Sequence, residues 1–317
     1  MKNFAITGVG GYIAPRHLQA IRDTGNRLVA ALDPHDAVGV LDRYFDEVSY
    51  FREFERFDRF VEKVRRKGEG DRVHFVSICS PNYLHDAHIR FALRVGADAI
   101  CEKPLVLNPW NLDALAELES ETGRRVFNIL QLRLHPSIVA LKERIAALPP
   151  GRPLEVDLTY ITSRGNWYFT SWKGDQEKSG GIASNIGVHF FDMLAWVFGP
   201  VQEAELHHGE TQRAAGMLRL ERAVVRWFLS VDKKDLPEAA LARNRTTHRS
   251  LTIGGQEVEF SDGFAELHTQ VYRDILAGGG FGIEEARPSI TLVHQLRTLP
   301  VVRSAPECTH PYVARLR

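Results

Sequence analysis

Over residues 1–150, short apolar runs alternate with longer amphipathic stretches, and that alternation leaves few folds open. Strand-length runs fall at Phe4–Thr7, Arg27–Leu32, Val73–Cys79, Ala97–Cys101 and Val126–Leu130. Helical spacing lies between and after them, near Pro15–Thr24, Phe54–Lys67, Leu84–Val95, Trp110–Thr122 and Ser137–Ala147. Strand and helix in strict succession predict a parallel sheet covered by helices. Pro149-Pro150-Gly151 breaks the pattern, so we expect one domain over 1–150 and a second over 151–317. A chain of 317 residues suits two domains, each burying its own core.

The second half has another rhythm. Leu154–Ser163 alternates as a strand, and a helix is expected near Ile182–Val197, closed by Phe198-Gly199-Pro200. Further strands are expected near Glu203–His208, Ala214–Leu220, Ala223–Val231, Ser250–Ile253 and Val258–Phe260, with Gly254-Gly255 as a tight turn. Helices near Phe264–Ala277 and Glu284–Leu299 finish the chain. The expected class is an α/β N-terminal Rossmann domain plus an α+β domain with a mostly antiparallel open sheet.

Lys+Arg 40 against Asp+Glu 40 leaves no net charge and no basic stripe, so nucleic acid and anionic membrane have no electrostatic footprint. Lys63-Val64-Arg65-Arg66-Lys67 sits at a helix end, where cations suit the dipole. The apolar runs fall short of the ~20 residues of a membrane helix, and Met1-Lys2-Asn3 leads straight into a strand. Cys79, Cys101 and Cys308 form no disulfide framework. We expect a cytoplasmic protein.

Gly8-Val9-Gly10-Gly11-Tyr12-Ile13 lies between the first strand and first helix, the context of a dinucleotide fingerprint. Gly8 permits the tight turn, Gly10 lets the backbone approach a pyrophosphate, and the helix N-terminus offers N–H groups. Ile13 replaces the usual third glycine. Asp33 ends the second strand about 20 residues on, where a carboxylate accepts from ribose hydroxyls and repels a 2′-phosphate. NAD is therefore favoured over NADP. Two more strand ends share that edge of the sheet: Ser80-Pro81-Asn82, with His85 close behind, and Glu102-Lys103-Pro104. Gln131 follows the last strand and is a further candidate to touch cofactor or substrate. Lys103 at such a place can be catalytic, because partial burial and a cationic neighbour lower its pKa.

The stretch from Ser163 to His189 is dense in polar and aromatic groups: Arg164, Asn166, Trp167, Tyr168, Trp172 and Lys173, then a Gly180-Gly181 pair before Asn185 and His189. Asn185, His189 and Asp192 are spaced i, i+4 and i+7, a single helical stripe, beside a packing face of Ile186, Phe190, Met193 and Val197. Asp192 is placed to hold the tautomer of His189 for proton transfer.

Together the Rossmann pattern, Glu102-Lys103-Pro104 and Gly180-Gly181-Ile182-Ala183-Ser184-Asn185-Ile186-Gly187-Val188-His189 resemble the glucose–fructose oxidoreductase/inositol dehydrogenase superfamily. Asn185 stands where that superfamily commonly has Asp. Ser163-Arg164-Gly165-Asn166-Trp167-Tyr168, Ser171-Trp172-Lys173-Gly174-Asp175, Ala31-Leu32-Asp33-Pro34-His35-Asp36 and Phe260-Ser261-Asp262-Gly263-Phe264 look more narrowly like the bacterial UDP-N-acetylglucosaminuronate 3-dehydrogenases of diacetamido-mannuronic acid synthesis, which serve surface polysaccharide (O-antigen, lipopolysaccharide).

That resemblance implies NAD-dependent oxidation of the C3 hydroxyl of a UDP-sugar acid. His189 or Lys103 is then the base and the other donates to the developing oxyanion, and the sequence leaves this choice open. Asn185 orients the sugar. Arg164 and Lys173 meet the anionic groups of the substrate, Asn166 and Tyr168 its hydroxyls, and Trp172 lines the nicotinamide. Trp167 has no assigned role, and no metal is expected. Relatives are commonly homotetramers, and in some NADH is reoxidised in place by 2-oxoglutarate. The competing readings are another NAD-dependent sugar or inositol dehydrogenase, an NAD-dependent glycosidase, and a dinucleotide-binding regulator without chemistry.

Overall fold

In the computed structural model, residues 1–149, 151–258, 260, 264 and 266–315 are described. Pro150 of the expected boundary, Glu259 of the expected strand Val258–Phe260, and Ser261-Asp262-Gly263 lie outside these residues.

The chain divides into two compact units: Met1–Gln131 with Ala265–Arg287, and Leu132–Phe264 with Pro288–Arg317. This departs from the expected break at 150/151. Pro149 ends helix α5 (Pro136–Ala147) rather than a domain, and α5 packs on α8 (Val188–Phe198) of the second unit. A later helix returns to the first unit, which no local sequence signal announces.

The first unit holds a parallel six-stranded sheet in the order β3-β2-β1-β4-β5-β6. Its strands are β1 (Asn3–Thr7), β2 (Arg27–Leu32), β3 (Ser49–Phe51), β4 (Phe75–Ile78), β5 (Asp98–Cys101) and β6 (Val126–Asn128). Every residue of β1 and β4 is buried, because helices cover both faces of such a sheet. The helices are α1 (Ala14–Asp23), α2 (Phe54–Arg65), α3 (His85–Arg94), α4 (Pro109–Thr122) and the returning α10 (Leu267–Leu276). Four expected strands and all five expected helices of this unit are found within a few residues of their predicted ends, the fifth strand being cut to Val126–Asn128. Strand β3 was not expected: three half-buried residues at a sheet edge make no apolar run.

The second unit holds a six-stranded sheet in the order β12-β11-β7-β10-β9-β8. Its strands are β7 (Leu154–Thr162), β8 (Val201–Gly209), β9 (Arg213–Leu220), β10 (Ala223–Ser230), β11 (Thr247–Ile253) and β12 (Gln256–Glu257). Among these strands β7 and β10 are the pair that runs parallel, so the sheet is mixed and mostly antiparallel, as expected. Gly254 and Gly255 both take positive φ (+56° and +79°) and turn β11 into β12. Short helices α6 (Trp167–Thr170), α7 (Gln176–Ser179), α9 (Glu238–Ala242) and α12 (Pro311–Ala314) fill the connections, and α11 (Ile283–Thr298) precedes the last of them.

One helical span, Gln176–Phe198, is 23 residues long with a mean hydropathy of 1.2 in its most apolar window, enough by length and composition to cross a membrane. That window is 72% buried within the protein, as in a core helix. Phe191 meets the buried Trp227 of β10 edge-on, ring centroids 5.2 Å apart.

Candidate active site

At the first strand–helix turn, the backbone N–H groups of Gly8 and Val9 bond the Leu32 carbonyl at 2.8 and 3.3 Å, stitching the turn to the end of β2. Gly8 has φ +76°, and a Cβ there would lie 2.6 Å from the backbone of Cys79 and Ser80. Only glycine lets the two strand-end loops come so close. At Gly10 a Cβ would stand 2.8 Å from Ala37 Cβ and 3.1 Å from an Asp33 oxygen. Asp33 is buried, and its two oxygens accept from the N–H groups of Gly10 (2.9 Å) and His35 (3.0 Å). A cleft of about 760 Å³ opens here, lined by the glycine turn, Pro15 and Arg16 on one side and by Asp36, Ala37, Gly39 and Val40 on the other. Pro15 lies in the first turn of α1, where its missing N–H costs nothing. The bare cradle, the carboxylate beside it and the helix N-terminus fit a dinucleotide. Tyr12 is 96% exposed and Ile13 is the N-cap of α1.

The other strand-end turns are tied together by His85. Its Nδ1 lies 2.7 Å from the Pro104 carbonyl and its Nε2 2.9 Å from the Ser80 carbonyl, so one buried ring bridges both loops. The Ser80 hydroxyl contacts His88 Nδ1 at 2.9 Å, and Asn82 is buried while Pro81 is half-buried. Burial lowers the pKa of His85 and takes that of His88 down to about 4. Gln131 opens a short 3-10 turn, and its buried Oε1 has no hydrogen-bond partner among the described residues.

Lys103 is half-buried, and its peptide bond to Pro104 is cis. The adjoining Glu102 is fully enclosed. Its Oε1 accepts from His17 Nε2 at 2.9 Å and His268 Nε2 at 3.0 Å, and its Oε2 from the Lys103 N–H at 3.2 Å. Burial opposes the carboxylate, but the two imidazole hydrogen bonds outweigh it and hold Glu102 well below the usual carboxylate range. His17 is pushed down by burial, which leaves it neutral, and its Nδ1 faces the Tyr272 hydroxyl at 2.7 Å. The Tyr272 hydroxyl in turn meets Ser77 Oγ at 2.6 Å. The ligand atoms of His17, Glu102 and His268 lie within 4.8 Å of one another, a spacing a metal could bridge, and hydrogen bonds already account for it. Nothing in the local sequence pointed to His17, His268 or Tyr272.

In the second unit, Ala183–Gly187 is a π-helical turn leading into α8, where a plain α-helix was expected. A π-turn shifts the register, so the expected i, i+4, i+7 stripe is broken. Asn185 and His189 remain half-exposed amid buried neighbours, and Asp192 is buried. Its two oxygens accept from Arg133 Nε (3.0 Å) and Nη2 (2.7 Å). The carboxylate expected to set the His189 tautomer is thus committed to Arg133, a residue outside the sequence reading. The packing face of Ile186, Phe190, Met193 and Val197 is buried as expected.

Tyr168 is also buried, and its hydroxyl accepts from the Asn185 amide at 2.8 Å. It was expected to bond a sugar directly; in this structure it anchors Asn185. Arg164 and Asn166 are exposed, while Trp172 and Lys173 are half-buried. Lys173 Nζ lies 4.3 Å from the Trp172 ring centre and 5.6 Å from that of Trp167, a cation between two indoles. Trp167, 53% exposed, therefore helps hold Lys173.

Residues 2–129 match the profile described as "Oxidoreductase family, NAD-binding Rossmann fold", and residues 142–231 the one described as "Oxidoreductase family, C-terminal alpha/beta domain". The WlbA (WbpB) dehydrogenase of Thermus thermophilus, solved with NAD and UDP-GlcNAcA and also with NAD and α-ketoglutarate, is 51% identical. The alignment covers 98% of this chain and 100% of that one, with a TM-score of 0.94. The WlbA dehydrogenase of Bordetella pertussis shares the fold at 19% identity and a TM-score of 0.73, over 96% of this chain and 98% of that one. Among curated proteins, an inositol 2-dehydrogenase of Rhizobium meliloti is 28% identical over 200 residues, 62% of this chain and 54% of the relative. A putative oxidoreductase of Bacillus subtilis, YteT, is 28% identical over 172 residues, 54% of this chain and 39% of the relative. These curated matches thus span about half or less of the relatives' own length. The chain belongs to the GFO/IDH/MocA oxidoreductase family, with its NAD-binding Rossmann fold and its C-terminal alpha/beta domain.

Proposed function

We propose that this protein oxidises the C3 hydroxyl of UDP-N-acetylglucosaminuronic acid with NAD as hydride acceptor, in bacterial surface-polysaccharide synthesis. The observation that carries the reading is the 51% identity across the whole length of a dehydrogenase solved with NAD and UDP-GlcNAcA. Its solution with α-ketoglutarate supports 2-oxoglutarate as a second substrate here. Homotetrameric assembly and a cytoplasmic location belong to the same proposal.

The glycine turn and Asp33 would hold the dinucleotide, through N–H groups on its phosphates and a carboxylate on a ribose. Bound NAD supplies the hydride acceptor. The remaining chemistry falls to side chains. Loss of the C3 hydroxyl proton needs a base, for which Lys103 and His189 are the candidates, the other donating to the oxygen as charge builds. Asn185, one N–H fixed on Tyr168, orients the sugar with what remains of its amide. Arg164 and Lys173 supply positive charge for the diphosphate and carboxylate.

The test is to identify the nucleotide released on denaturation, then to incubate the native protein with UDP-N-acetylglucosaminuronic acid, with and without 2-oxoglutarate. Released NAD(H), and 3-keto sugar accumulating with 2-oxoglutarate, are the expected results. NAD(H) without reaction on that sugar would overturn the substrate and keep the oxidoreductase.

A further inference from the structure

Two buried imidazoles grip one carboxylate, with a phenol and a hydroxyl chained behind one of them, and none of these four has a part in the chemistry above. We propose that Glu102, gripped by His17 and His268, is a positioning residue that sets the place of Lys103 and ties it to the cofactor-binding helix α1. The proposal rests on Lys103 acting at the site.

Burying an ionised carboxylate is costly, and apolar residues of similar volume commonly stabilise a core as well or better. A group gathered at that cost needs a reason beyond filling space. Its geometry supplies one. Glu102 Oε1 takes both imidazole donors, at 2.9 and 3.0 Å, which turns Oε2 to the backbone N–H of Lys103 at 3.2 Å. The two rings come from different helices: His17 from α1, which the glycine cradle leads into, and His268 from α10. Tyr272, one turn beyond His268, links His17 to Ser77 of β4. A neutral His17 donating from Nε2 must accept at Nδ1, so Tyr272 donates to it and Ser77 donates to Tyr272. The donors run one way, from β4 through α10 and α1 to the carboxylate. Any displacement of α1 would therefore reach Lys103 through a single hydrogen-bonded atom pair at each step.

Protonating Glu102 would set an O–H against donors and break the chain. The titratable groups around it are His17 on α1, His268 and Tyr272 on α10, Cys79 after β4, Cys101 on β5, His85 on α3, and Lys103 itself. Burial raises both thiols and the phenol, which keeps them neutral. Removing one imidazole donor thus moves Glu102 protonation to higher pH.

The experiment compares wild type, Lys103→Ala, His268→Phe and Tyr272→Phe. Tyr272→Phe deletes one hydroxyl and keeps the ring against Phe4, so it guards against a His268 variant that fails to fold. Lys103 is followed by the NMR signal of its ¹³C-methylated amine, assigned by its loss in Lys103→Ala, with no substrate needed. Turnover on UDP-N-acetylglucosaminuronic acid is measured against pH. In both variants we expect a displaced Lys103 signal, NAD affinity within about threefold, and kcat down by about 10- to 100-fold, as small misplacements produce. The acid limb of kcat should move to higher pH in His268→Phe, which has no donor to offer Glu102. An unmoved Lys103 signal with an unmoved pH profile, in folded variants, would overturn the proposal even if stability fell. Wild type inactive on that sugar would count against the substrate alone, since the NMR signal still decides this point; Lys103→Ala with normal turnover would remove the role on which it rests.

Discussion

The amide of Asn185 donates to the hydroxyl of Tyr168 across 2.8 Å, joining the π-helical turn to the short helix α6 inside one unit. A buried phenol spent on Asn185 makes Tyr168 an anchor. Tyr168→Phe should raise KM for the nucleotide sugar about tenfold, in line with the loss of roughly one hydrogen bond, and leave NAD affinity unchanged. Steady-state kinetics with calorimetric NAD titration decide it; an unchanged KM would release Asn185 from this anchor.

Lys103→Ala and His189→Ala should each cost about 10²- to 10⁴-fold in turnover, the usual worth of a proton-transferring group, with NAD still bound. Single-turnover absorbance at the reduced nicotinamide band reads the chemical step directly. Near-normal turnover in either variant removes that residue from acid–base duty.

Gly8→Ala should abolish NAD retention. Its Cβ would enter the Cys79–Ser80 backbone at 2.6 Å, and φ of +76° adds strain, so we also expect a stability loss of about 1–3 kcal/mol. Thermal denaturation with and without added NAD separates the two effects: wild type should gain stability from NAD and the variant should not.

Breaking the Arg133–Asp192 pair should be expensive. Both side chains are almost fully enclosed, so Arg133→Met strands a buried carboxylate and should cost about 3–5 kcal/mol near neutral pH. Burial already raises Asp192 above its ordinary value even with Arg133 present. A raised carboxyl favours the folded state below its unfolded pKa and loses that advantage as pH rises through the folded one. The variant's deficit should therefore shrink on acidification, which denaturant melts at pH 5 and pH 7.5 will show. A deficit that does not change with pH would deny the stranded charge.

His310 sets an acid limit. Its Nδ1 accepts from the Tyr312 N–H at 3.2 Å and its Nε2 faces Thr159 Oγ1 at 3.1 Å, an arrangement only the neutral ring can make. Burial takes its pKa down from 6.5 to about 4. Folded protein then binds fewer protons than unfolded between those values, so stability is lost as pH falls from 6.5 toward 4. At about 1.4 kcal/mol per unit, the loss approaches 3 kcal/mol. His310→Asn should flatten the pH dependence of Tm in that window.

The parallel sheet was legible because buried strands leave apolar runs and the fingerprint turn leaves glycines. That Asp33 and the Glu102-Lys103-Pro104 turn follow the ends of β2 and β5 could be read from type and position alone. The rest depended on partners far apart in sequence. His17, Glu102 and His268 are separated by 85 and 166 residues, and no local pattern marks such a meeting. The π-turn moved Asn185 off the stripe, whereas His189 and Asp192 keep ordinary α spacing within α8 and Asp192 is taken by Arg133, 59 residues earlier. The sequence reading put the boundary at 150/151, after α5, whereas the compact units change over before that helix, at Gln131/Leu132.

The return of residues 265–287 to the first unit has a consequence for how the protein is made. A ribosome delivers Glu102 and His17 early but withholds His268 and Tyr272 until most of the chain has emerged. Until then the nascent nucleotide-binding domain carries a carboxylate with half its cage, and Phe4 without the ring that stacks on it. Vectorial synthesis can begin this domain first, yet it can complete it only after the second unit's residues 132–264 have followed.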